Sequence, residues 1–138
     1  MDDEVMVFLR ALTPEAQECL GAQQKEIYLP FLVGRESRIN EPDRYAGRRS
    51  ASSVRNNDLY LAEEGLCNVS REHFLIERRN GSFYLVDRGS MCGTLVEGIT
   101  VGGVRLGGEK KIQNGDVIIV GTSASKHIFK FVVGNEKP

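Results

Sequence analysis

The absences narrow the field first. There is no excess of positive charge: 18 Lys and Arg stand against 19 Asp and Glu, for a formal net charge of -1. The basic footprint of a nucleic-acid binder is therefore missing. No apolar run approaches the roughly 20 residues that a membrane span needs. The opening Met1-Asp2-Asp3-Glu4 is acidic where a secretory leader is basic. The cysteines Cys19, Cys67 and Cys92 are odd in number and lack paired spacing, which disfavours both a disulfide framework and a zinc knuckle. No phosphate-cradling P-loop and no fixed-period repeat is present. These absences predict an intracellular, cytoplasmic protein with reduced thiols, no cofactor, and neither nucleic acid nor membrane as partner.

What remains suits many short strands. A chain of 138 residues favours one domain with a single core. Its 41% hydrophobic and 27% charged content is ordinary for a globular protein, and 15 glycines are scattered through it. The most informative stretch runs from Asn68 to Gly98. Asn80-Gly81 lies between two alternating runs, a strong hairpin signal because both residues tolerate positive φ. A two-residue turn there pairs Ile76 with Leu85, Leu75 with Val86 and Glu77 with Tyr84. It puts Phe74, Ile76, Phe83 and Leu85 on one core face. The far ends of this hairpin then bring Val69-Ser70-Arg71-Glu72-His73 beside Gly89-Ser90-Met91-Cys92-Gly93-Thr94. A binding site is expected where these two loops meet.

Along the rest of the chain, residues 1–25 read as a helical extension. Asp2 or Asp3 would cap a first helix carrying Val5, Met6, Phe8, Leu9 and Leu12. Thr13-Pro14-Glu15 starts a second that ends near Gly21. Such an appendage either packs on the sheet or docks a partner. Glu26 to Gly34 is strand-like with a break at Pro30. Residues 36–57 form a long loop with Arg38, Arg44, Arg48, Arg49 and Arg55, either simply solvated or a basic lip for an acidic or phosphorylated partner. Ser50, Ser52 and Ser53 beside Arg48-Arg49 form a kinase-target pattern of low specificity. Strands follow at Asp58 to Ala62, along the central hairpin and at Thr94 to Val96. Gly102-Gly103 reads as a hairpin turn between Ile99–Val101 and Val104–Leu106. Asp116 to Val120 and His127 to Val133 complete the series. A domain over 26–134 and a polar tail over 135–138 are expected, built as an all-β sandwich.

Five segments, in order, carry a family pattern. They are Leu32-Val33-Gly34-Arg35; Asn57-Asp58-Leu59; Val69-Ser70-Arg71-Glu72-His73-Phe74; Asp87-Arg88-Gly89-Ser90 continuing to Gly93-Thr94-Leu95-Val96 and Gly98; and Asn114-Gly115-Asp116 with Ile118 and Gly121. Across about residues 26 to 133 the chain resembles the forkhead-associated (FHA) domain. The resemblance implies an antiparallel β-sandwich of about 10–11 strands. It also implies a phosphothreonine-binding interaction module for signalling or adaptor use, not an enzyme. Its partner would be a phosphorylated protein, the product of a Ser/Thr kinase. Arg35 and Ser70 are assigned to the phosphate, and Arg71 to the ligand through its backbone N–H and side chain. Gly34, His73, Gly93 and Thr94 are assigned to loop support. This chemistry stands on its own terms: a phosphate monoester carries nearly two charges and suits a guanidinium fork with a hydroxyl donor.

The chain departs from the family where it has Met91 and Cys92. The usual residue at position 92 is an asparagine that holds the ligand's main chain, and a thiol is a poor substitute. Glu97 stands where a second, structural asparagine is common. A phosphate anchor with a weakened peptide clamp is thus expected. Two alternatives stay open. One is a phosphate-independent scaffold of the same fold. The other is a cysteine-dependent enzyme pairing Cys92 with His73, for which no orienting third group can be named. Cys67, His73 and Cys92 are too irregularly spaced for a metal site.

Overall fold

The computed structural model describes residues 5–35, 57–62 and 69–134. The basic loop with its serines, and Cys67, lie outside them. Among these described residues, eleven strands and one helix follow in order: β1 (Met6–Ala11), α1 (Pro14–Leu20), β2 (Gln24–Ile27), β3 (Phe31–Arg35), β4 (Leu59–Leu61), β5 (Phe74–Arg79), β6 (Ser82–Asp87), β7 (Thr94–Val96), β8 (Ile99–Val101), β9 (Gly108–Ile112), β10 (Val117–Val120) and β11 (Ile128–Gly134). They form two stacked sheets, ordered β2-β1-β11-β10-β7-β8 and β4-β3-β5-β6-β9. All neighbouring strands run antiparallel except β3 and β4, which are parallel.

Packing follows the pleat. Along β5 and β6, Phe74, Ile76 and Leu85 are buried and Phe83 half-buried on the face expected from the alternation. They meet Phe129, Phe131, Ile118 and Ile112 from the other strands. The rings of Phe83 and Phe131 lie edge-on at 5.3 Å between centroids, a favoured aromatic geometry. Each such side chain fully removed from water contributes about 1.5–3 kcal/mol.

The central hairpin has the expected register, with Ile76 facing Leu85, Leu75 facing Val86 and Glu77 facing Tyr84. Asn80 and Gly81 sit at φ 50° and 83°, as a turn that matches the strand twist requires.

Two expectations need correction. The stretch around Val5–Leu12 is strand β1, not a helix, and it lies inside the six-stranded sheet between β2 and β11. Its residues satisfy both periods. Val7, Leu9 and Ala11 alternate as a buried face with Phe8 and Arg10 opposite. Hydrogen-bonding partners on both sides decide for the strand, since intrinsic propensity is a weak preference. The second helix is α1, capped as expected. Thr13 Oγ1 accepts from Ala16 N–H at 3.2 Å, and Gly21 closes the end at φ 82°. The other correction concerns Gly102-Gly103, which is no hairpin turn, and Val104–Leu106, which is no strand. Val104 and Arg105 adopt φ 51° and 61°, and their N–H groups bond to Met91 and Ser90 carbonyls instead of a ladder. The hairpin in this region is the tighter one joining β7 to β8 through Glu97 and Gly98.

The six-stranded sheet has two distinct ends. Met6 faces Gly134 at one. Thr94, flanked by Val101 and Val120, lies at the other. The loops that carry the site leave from this second end.

Candidate functional site

Arg35 is the last residue of β3, and its N–H donates to the Ser70 carbonyl at 2.9 Å. One residue pair earlier the same segments are stitched again, His73 N–H to the Val33 carbonyl at 3.0 Å. This close approach depends on Gly34. A Cβ built there would overlap the Arg71 carbonyl and come 2.6 Å from the Asn57 amide nitrogen. Gly34 is not in the left-handed region, so space, and not backbone freedom, is what glycine supplies.

Asn57 occupies that space. It is only 3% exposed. Its amide donates to the Arg71 carbonyl at 2.9 Å, and its oxygen accepts from Arg88 Nη1 at 2.6 Å. Arg88 also reaches the Val33 carbonyl at 3.4 Å. Burial pushes the Arg88 pKa down, opposed by the charges of Glu72 and Asp58 and by Tyr60; a guanidinium remains cationic throughout the physiological range.

Below the loop, His73 is completely buried. Its Nδ1 accepts from Ser70 N–H at 2.9 Å, and its Nε2 lies 2.7 Å from the Gly93 carbonyl. An acceptor at Nδ1 and a carbonyl at Nε2 assign the proton to Nε2. The imidazole thus ties the serine loop to the glycine loop. Asp87 does the same for the next turn. It accepts from the N–H groups of Gly89 and Ser90 and from the Ser90 hydroxyl. The Ser90 hydroxyl accepts in turn from Gly93 N–H at 3.0 Å. Glu97, in the place of the family's second asparagine, still bridges strands: its carboxylate accepts from Val117 N–H at 2.7 Å.

Above this framework is an open cleft of about 630 Å³. Arg35, Ser70, Arg71 and Met91, all named from the sequence, line it together. Ser70 Oγ accepts from Met91 N–H at 3.0 Å, which fixes the hydroxyl oxygen and directs its own proton elsewhere. Arg35 and Ser70 are half-buried, while Arg71 and Met91 are exposed. Cys92 is half-buried and is not among the lining residues. Gly34, His73, Gly93 and Thr94 lie beneath the rim and are all buried.

The family model for the FHA domain matches residues 44–121. This chain belongs to the FHA domain family. Its fold is also that of solved FHA structures. The FHA domain of kinase associated protein phosphatase from Arabidopsis is 21% identical, with a TM-score of 0.62 over 97% of this chain and 98% of that one. The FHA domain of CT664 from Chlamydia trachomatis is 17% identical, at 0.54 over 96% and 99%. EmbR from Mycobacterium tuberculosis, solved with a low affinity phosphopeptide, is 16% identical, at 0.58 over 96% of this chain. The present chain spans only 26% of the EmbR chain. No curated protein matches it in sequence.

Three contributors to this FHA domain's cleft region were not assigned a role from the sequence. Asn57 and Arg88 stood inside quoted motifs, but their contact joins positions 31 residues apart. Arg105 lies in Gly102-Gly103-Val104-Arg105-Leu106-Gly107-Gly108, where glycines crowding both sides signal a turn displaying its centre. With Arg35, Arg71 and Arg88 it makes four guanidinium groups among the described residues that line the cleft, beside the carboxylate of Glu72.

Proposed function

We propose that this FHA domain is a phosphothreonine-dependent interaction module that takes phosphorylated segments of partner proteins into the cleft of Arg35 and Ser70. The observation that carries the reading is the convergence of those two residues, distant in sequence, on one open cleft. A phosphate monoester brings nearly two negative charges and several acceptor oxygens. Arg35 supplies a planar fork and Ser70 a hydroxyl donor whose oxygen is already anchored. Arg71, exposed on the same rim, supplies a second cation. Charge-assisted hydrogen bonds of this kind contribute about 1.5–3 kcal/mol each. The partner is then the product of a Ser/Thr kinase. Cys92, in place of an amide, provides no strong hold on the ligand's main chain, so the phosphate carries an unusually large share of the affinity.

The test is a titration of phosphothreonine peptides against phosphoserine and unmodified twins. Phosphate dependence is expected, with Arg35→Ala costing about 2–5 kcal/mol. Equal affinity for modified and unmodified peptides would remove the proposal.

A second reading, phosphate-independent scaffolding, is favoured by apolar exposure: Met91 is 49% exposed, Val104 70% and Leu106 84%. Clustered apolar surface marks interaction sites. Under that reading Arg35→Ala leaves partner binding unchanged. An enzymatic role for Cys92 gains no support, because both ring nitrogens of His73 face backbone groups.

A further inference from the structure

Among the described residues, four arginines and one glutamate line the cleft. The arginines are not equivalent. Arg88 is turned inward onto Asn57 and the Val33 carbonyl. Arg35 enters from the Ser70 side through its backbone bond to that residue. Arg105 is carried by the turn at 102–107, whose backbone is tied to the Ser90 carbonyl at 2.9 Å. Its guanidinium has no hydrogen-bond acceptor or carboxylate partner among the described residues, and it is exposed.

The local backbone holds Arg105 there at a cost. Val104 and Arg105 are consecutive non-glycine residues at φ 51° and 61°, a conformation unfavourable above all for a β-branched residue. Three hydrogen bonds hold the turn: Val104 N–H to Met91 at 2.7 Å, Arg105 N–H to Ser90 at 2.9 Å, and Leu106 N–H to Gly103 at 3.0 Å. Two of the three carbonyls belong to the very loop that borders the phosphate pocket. Strain retained where the surroundings enforce it points toward function.

We propose that Arg105 is a specificity residue, which binds a second anionic group on the ligand, placed beside the phosphothreonine. This rests on the phosphothreonine reading above. The ligand class is a segment with two negative centres, and the second is either another phosphorylated residue or an Asp or Glu side chain.

The probe is a set of fluorescent phosphothreonine peptides with neutral flanks, in which Asp or phosphoserine is scanned through the three positions on each side. Anisotropy titrations are compared for the wild type, Arg105→Asn and Arg105→Lys. Asparagine tolerates the left-handed backbone, and lysine keeps the charge without the fork. The expected result is a preference of about tenfold or more for a second anion at one flanking position. In Arg105→Asn the ratio between the two-anion and one-anion peptides falls toward one, and Arg105→Lys retains part of it. A preference for phosphoserine alone identifies a doubly phosphorylated ligand; an equal preference for Asp identifies an acidic one. Either supports the assignment. A wild type that needs phosphothreonine but ignores every flanking anion overturns it, as does an Arg105→Asn variant that keeps the full ratio. If no peptide needs its phosphothreonine, the underlying reading falls, and this one with it.

Discussion

Gly34→Ala isolates the steric requirement beneath the cleft. The φ of Gly34 is one alanine adopts freely, and reduced freedom in the unfolded chain favours the substitution by about 0.4–1 kcal/mol. Against this stands the new methyl. It would overlap the Arg71 carbonyl and press on both polar atoms of the Asn57 side chain, at 2.6 and 2.7 Å. Overpacking of this kind costs about 1–3 kcal/mol. Relief requires Asn57 or the Ser70-Arg71 loop to move. That breaks the bond from Asn57 to Arg71 and threatens the one from Arg88 to Asn57. A buried polar group left without a partner costs a further 1–3 kcal/mol or so. The balance is a loss of about 1–5.5 kcal/mol, centred near 3, against the roughly 5–15 kcal/mol typical of a domain. With a urea dependence of about 2 kcal/mol per molar, the unfolding midpoint falls by about 0.5–3 M. Under conditions where the variant is still folded, phosphopeptide affinity falls as well, because Ser70 and Arg71 are the residues displaced. A variant whose midpoint stays within about 0.3 M of wild type, a shift near the uncertainty of such extrapolations, refutes the reasoning.

Two other outcomes follow from the same contacts. His73→Ala strands Ser70 N–H and the Gly93 carbonyl and opens a cavity between the two loops; a loss of about 2–4 kcal/mol is expected in denaturant melts, with weaker phosphopeptide binding in the folded fraction. Glu109 is held below the ordinary glutamate range, first by its hydrogen bond from Arg79 and then by that residue's charge. A lowered folded pKa contributes stability above the unfolded value and loses it as pH falls through the folded one. The difference in urea midpoint between wild type and Glu109→Gln is therefore small and constant above about pH 5, shrinks below about pH 4, and is reduced by salt. A difference that grows toward acid contradicts this.

The parts of the fold legible in the sequence were those with local causes. Asn80-Gly81 dictates its own turn and, through it, the pairing of β5 with β6. Thr13-Pro14 starts α1 by capping chemistry that needs nothing distant. The loops meeting at the cleft were legible because they are the two ends of one hairpin. What was misread depended on neighbours remote in sequence. Val5, Phe8, Leu9 and Leu12 sit at helical spacing as plausibly as Val7, Leu9 and Ala11 alternate, and only β2 and β11 break the tie. Gly102-Gly103 looked like a turn between paired strands, yet Gly102 lies against the Asp87 carboxylate, and Val104 and Arg105 bond back to the loop at 90–91. Asn57 and Arg88 went unassigned for the same reason: their value lies in a contact with each other.

The pairing of β1 with β11 has a practical corollary. Met6 and Gly134 emerge side by side, at the pole of the sandwich remote from Ser90 and Arg105. A tether, tag or neighbouring domain attached at either point hangs behind the molecule and leaves its front unobstructed. Anchored at either of these two positions, the domain presents its cleft to the solution, and two copies joined there face outward.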